Sequence, residues 1–188
     1  MNPIFTVPYS EYIVAQKLKA ELKCSVFIPM SAQEKGIDLL FYKFEDGKNK
    51  ILTVQVKNSR SYVEKEGDII CHGLWFNRFE PQDNADWFIL VGLYPSLQQD
   101  TEYKGKINWG EIFLAFTYSE MKEFMVNLTQ KKNNSKPDKM FCFRFRKNDN
   151  KELIIEQTRG YHENGIDKRD MSKYLLEKRI EEIKRSLK

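Results

Sequence analysis

The chain has 188 residues, 41% of them hydrophobic and 31% charged, with 31 Lys and Arg against 27 Asp and Glu for a formal charge of +4. This length and composition suit one globular domain with a proper core and exclude a chain disordered throughout. The mild basicity permits a polyanionic partner without demanding one.

In chain order, residues 8–23 have helical spacing, with Pro8 suited to a first turn and Val14, Ala15, Leu18 and Leu22 on one stripe. A short apolar run follows at 26–28. A polar turn from Ser31 to Gly36 leads into a predicted strand at 37–44. Residues 45–48, Glu-Asp-Gly-Lys, form a hairpin-type turn into a partner strand at 51–57. Residues 58–68 are polar and predict a loop. Strands are expected at 69–79, at 86–94 and at 111–117, the second a near-continuous apolar run ended by Pro95. A short helix is expected at 118–128 and a basic loop at 129–139. A hairpin joins 140–146 to 153–157, and a charged helix runs from 168 to 188. The order predicts a mixed α/β architecture with a central sheet.

The three cysteines, Cys24, Cys71 and Cys142, are far apart and form no C-x-x-C pair. They read as free thiols in a reducing compartment rather than as a disulfide or zinc framework. No signal-peptide pattern opens the chain, and no apolar run is long enough to span a bilayer. The expectation is a cytoplasmic protein with no membrane partner.

Chemistry concentrates on the 37–44 and 51–57 strands. Side chains alternate faces along a strand, so Gln55 and Lys57 share one face while Val54 and Val56 share the other. Pairing across the 45–48 turn brings Asp38, at the start of the first strand, beside Gln55 and Lys57 at the end of the second. Glu11 falls on the helical stripe with Val14, Ala15, Leu18 and Leu22. A carboxylate facing a sheet is costly unless it is paired or cation-bound. The other reading keeps its head in solvent, favoured by the helix dipole. A carboxylate, an amide oxygen and an ammonium at one end of a sheet match what Mg²⁺-assisted phosphodiester hydrolysis needs.

The arrangement Glu11 … Gly36-Ile37-Asp38 … Gln55-Val56-Lys57 resembles the PD-(D/E)XK nuclease superfamily of restriction endonucleases, Holliday-junction resolvases and repair nucleases. Ile37 stands where the name motif has Pro. Gln55 replaces the usual acid, as in the Mrr-like restriction branch. The resemblance implies a restriction-endonuclease-like core, a central mixed β-sheet flanked by helices, in a single domain over 1–188. Residues 129–188 then add a C-terminal hairpin and helix. It further implies Asp38, Gln55 and Glu11 as ligands of Mg²⁺ or Mn²⁺, Lys57 as the catalytic lysine, and DNA as substrate. A homodimer is also implied, because cutting both strands needs two sites.

Outside that set, Ser31 and Arg60 lie close to the motif in sequence and are candidates to touch substrate. Arg144 and Arg146 share one face of the 140–146 strand, opposite Phe141, Phe143 and Phe145. With Lys131, Lys132, Lys136, Lys139 and Lys147 nearby, they are candidate phosphate contacts; the alternative is a half-buried strand with a solvated basic face. Two functions from different classes follow: a Mg²⁺-dependent DNA endonuclease, or a catalytically silent nuclease fold that binds nucleic acid or a protein.

Overall fold

The computed structural model describes residues 9–29, 35–66, 69–95, 109–147, 153–163 and 169–187. Helix α1 spans Tyr9–Leu22, followed by strands β1 (Ser25–Phe27), β2 (Leu39–Glu45), β3 (Lys48–Glu66), β4 (Ile69–Asn77), β5 (Trp87–Pro95) and β6 (Trp109–Thr117). Helix α2 (Tyr118–Val126) precedes β7 (Thr129–Gln130), β8 (Asn133–Pro137), β9 (Met140–Lys147), β10 (Leu153–Arg159) and β11 (Arg169–Asp170). A short 3₁₀ turn at Ser172–Tyr174 leads into α3 (Leu176–Ser186).

The result is a mixed α/β fold with a large, mostly antiparallel sheet and, among the described residues, three α-helices. Strand β3 is the hinge of the architecture. Its first part pairs antiparallel with β2 and parallel with β5, which pairs in turn with β6. Its last part, from Ser61, pairs with β4, and the sheet continues through β9, β10 and β11. The step from β3 to its parallel neighbour β5 therefore passes through β4, another strand of the large sheet, where parallel connections more often use a helix.

Two cores result. Val14, Ala15, Leu18 and Leu22 of α1 pack with Leu39, Phe41, Val54, Val56, Trp87 and Ile89, and with Leu176 and Ile183 of α3. The opposite face of the same sheet, including Phe88, Leu90, Leu114 and Phe116, packs against Phe141, Phe143 and Phe145 of β9 and against α2. The alternation seen in the Met140–Arg146 segment is the signature of this inner face. The C-terminal segment is thus woven into both cores.

Local chemistry explains the boundaries. Asp46 and Gly47 both have positive φ, 53° and 72°, the backbone that a two-residue hairpin turn between β2 and β3 demands. Thr117 caps α2 in a reciprocal capping box with Glu120. Glu120 also holds Arg179 of α3 through two hydrogen bonds of 2.9 Å, tying α2 to α3 with the bidentate geometry that favours Arg.

Three sequence expectations are corrected. Residues 58–66 are not loop but the continuation of β3, held by partners on β5 and β4. The 129–139 loop contains the small β7–β8 ladder. The C-terminal helix starts at Leu176, not near 168, because Met171, Tyr174 and Leu175 are drawn into the core before the helix begins. Cys24, Cys71 and Cys142 form no disulfide, and Cys71 and Cys142 are buried. Among the described residues, no helix is long and apolar enough to cross a membrane.

Candidate active site

The site is built at the point where β2 stops and β3 continues. Gly36 precedes it with φ +95°, a conformation that L side chains rarely adopt. A Cβ at Gly36 would lie 2.5 Å from both Asn84 Oδ1 and Gln82 Cβ. Asn84 Nδ2 donates to the Lys35 carbonyl at 2.8 Å. This packing fixes the chain just ahead of Asp38.

Asp38 then docks on β3 twice. Its backbone N–H donates to the Val54 carbonyl at 3.0 Å. Its carboxylate Oδ2 accepts the Val56 N–H at 2.7 Å. The two contacts fall on either side of Gln55, so the side chain of Asp38 takes over the ladder where the backbone of β2 leaves it. A second clamp holds β5 to β3: Asp86 Oδ2 accepts from the Thr53 N–H and hydroxyl at 2.8 and 2.9 Å, and the Asp86 N–H donates back to the Thr53 carbonyl at 3.1 Å.

Gln55 and Lys57 project from the face of β3 that carries Phe88 and Leu90 on β5. Gln55 is only 6% exposed, and its Oε1 is buried without a hydrogen-bond partner. An unmet buried acceptor costs about 1–3 kcal/mol; Gln157 Oε1, far from this site on β10, is in the same condition. Lys57 is half-buried, with its ammonium 5.5 Å from the centre of the Phe79 ring. Phe79 stacks in turn on Phe88 at 6.0 Å.

Glu11 reaches the group from α1, on the other face of the sheet. Its pKa is pushed up to about 7, first by burial and then by the negative charge of Asp38, with Lys57 pulling the other way. Three charged groups from α1, the start of β2 and β3 therefore act on one another. The structure docks Asp38 on β3 between Gln55 and Lys57, and couples Glu11 electrostatically to Asp38 and Lys57.

The other sequence candidates lie elsewhere. Ser31 falls outside the described residues. Arg60 is exposed on β3, but by strand alternation it points to the face opposite Gln55 and Lys57. Ser59 Oγ accepts the Trp75 N–H at 3.1 Å, a structural link from β3 to β4. Arg144 and Arg146 sit on the side of β9 opposite its buried phenylalanines. Arg144 lines a cleft that none of the four clustered residues lines. Gly36 was visible beside Asp38 in the sequence; nothing in the sequence linked Phe79 to Lys57.

As a donor set, the cluster offers two carboxylates and one neutral amide. Among the described residues there is no group of three or more His, Cys, Asp or Glu able to hold a metal ion. Compared with protein-family models, curated proteins and solved structures, the chain has no match.

Proposed function

We propose that this chain is a metal-dependent nuclease that hydrolyses phosphodiester bonds in DNA, an endonuclease of restriction or repair type on a restriction-endonuclease-like core. The observation that carries it is the docking of the Asp38 carboxylate on Val56, between Gln55 and Lys57 at the start of β2, with Glu11 feeling the charges of Asp38 and Lys57. The donors suit a hard divalent cation. Asp38 is held in place by backbone contacts, Glu11 is pushed toward neutrality by burial and by the Asp38 charge, and Gln55 Oε1 is a buried oxygen without a hydrogen-bond partner. Glu11, Asp38 and Gln55 would hold Mg²⁺ or Mn²⁺, which when bound polarises a phosphodiester and lowers the pKa of the attacking water.

The chain's own groups do the rest. Asp38 keeps its carboxylate in register through Val54 and Val56. Lys57 sets a positive charge where the phosphate gains negative charge as the bond breaks, and the Phe79 ring beneath it restrains the ammonium. Glu11, whose raised pKa of about 7 lets it keep a proton near neutrality, would serve as an anionic ligand once that proton is released. Gln55 would contribute oxygen without charge, so affinity for the cation would rest mainly on the two acids.

A second reading is favoured by one observation: an amide stands where a third acid would strengthen the site. In that reading the fold binds nucleic acid or a protein without cutting. One experiment separates the two. Supercoiled plasmid incubated with the protein and Mg²⁺ or Mn²⁺ should be nicked and linearised by the native chain and left intact by Lys57→Ala. Binding to DNA with no cleavage under either metal selects the silent module.

A further inference from the structure

We infer that the outward face of the β4–β9–β10 part of the large sheet carries a binding cleft for single-stranded nucleic acid, separate from the proposed cleavage site. The cleft has a volume of about 540 Å³ and is lined by Trp75, Lys131, Lys132, Asp138, Arg144 and Arg159 among others. Four cations face one lining acid. That acid, Asp138, is buried and already committed: Arg159 Nε and Nη2 donate to its two carboxylate oxygens at 3.1 and 3.3 Å. On β10, Glu156 stands across from Arg144.

The architecture behind the cleft is specific. Strand alternation sends His72, Leu74 and Phe76 of β4 and Phe141, Phe143 and Phe145 of β9 into the shared core. Trp75 and Arg144 are left on the outer face, away from Gln55 and Lys57. A register shift between Gln157 and Arg159 sets Arg159 opposite Cys142, on this same face. Such bulges re-aim a side chain and recur beside functional sites. The guanidinium carbon of Arg159 then stands 5.5 Å from the centre of the Trp75 ring. A flat aromatic surface and a fixed guanidinium therefore lie together, with Lys131 and Lys132 exposed on the turn between β7 and β8 at the rim.

This combination fits an unpaired strand better than a duplex. Phosphates pair with the lysines and Arg144, and a base released from its stack lies against the indole and guanidinium planes. A duplex keeps its bases stacked internally and would offer only phosphates. An acidic protein segment would offer charge without a flat base.

The test is binding of a fluorescein-labelled 12-nucleotide single strand in EDTA, so that no divalent cation takes part. The expected result is a rise in anisotropy, with quenching of tryptophan emission that Trp75→Phe removes. The Lys131→Glu/Lys132→Glu double variant should weaken binding about tenfold or more and make the log–log salt slope shallower by about 1.4, for two lost phosphate contacts. The paired duplex should bind more weakly. Equal binding of duplex, single strand and polyglutamate, or affinity unchanged in the double variant, would overturn the inference. Binding without plasmid cleavage would leave the cleft standing and count against the nuclease; cleavage without this binding would do the reverse.

Discussion

Asp38 accepts the Val56 N–H through Oδ2 at 2.7 Å while its own N–H reaches the Val54 carbonyl at 3.0 Å. One residue thus both extends the β2–β3 ladder and offers a carboxylate beside Gln55. Asp38→Asn keeps an acceptor for Val56, so its stability to urea should stay near native. Asp38→Ala should lose about 1–2 kcal/mol. Both should abolish metal-dependent cleavage. Native stability in Asp38→Ala would show that the contact is dispensable.

Glu11 makes stability depend on pH. Its folded pKa, about 7, lies above the ordinary 4.5, from burial first and the Asp38 charge second. The folded state therefore holds this proton more tightly than the unfolded chain. Its contribution is fully present below about pH 4.5 and is lost as pH rises toward 7. Glu11→Gln removes that loss. At pH 8 without metal the variant should be more stable than the native chain by about 1 kcal/mol, a figure reduced for solvent screening. At pH 4.5 the two should match. A native chain that gains stability between pH 4.5 and 7 relative to Glu11→Gln would reverse the assignment.

Gly36→Ala meets both strain and crowding. The φ of +95° disfavours a side chain, and the new methyl would lie 2.5 Å from Asn84 and Gln82. Stability should fall by about 2 kcal/mol. Cleavage should fall further than the folded fraction accounts for, because Asp38 is displaced. Thermal melting alongside activity at a temperature where both proteins are folded separates the two effects.

Gln55→Met probes the unpaired oxygen. The side chain is nearly isosteric and removes the buried Oε1 that lacks a partner. Stability should hold within about 1 kcal/mol of native or rise, while metal binding weakens. A loss of about 3 kcal/mol would mean that the amide is structurally paired.

The β2–β3 hairpin and the Phe alternation of β9 were legible because one face of each strand is apolar and the Asp46-Gly47 turn has the residues its backbone needs. The far half of β3 was not. Asn58, Arg60 and Tyr62 are exposed, so no alternating apolar signal marks a strand made by pairing with distant partners. The docking of Asp38 on β3 beside Gln55 followed from hairpin register alone, and the electrostatic coupling of Glu11 to Asp38 and Lys57 from helix-face spacing. Phe79 beneath Lys57 and Arg159 over Trp75 depend on chain reversals that local sequence does not encode.

Mn²⁺ binding followed by calorimetry in two buffers of different ionisation enthalpy tests the four-residue site most directly. At pH 6.5 the native chain should bind one Mn²⁺ and release a substantial fraction of one proton, as Glu11 leaves its raised pKa of about 7. Glu11→Gln should bind more weakly with no such release, and Asp38→Asn should lose the site. No Mn²⁺ binding by the native chain, or equal binding and proton release in all three proteins, would contradict a metal site at this place.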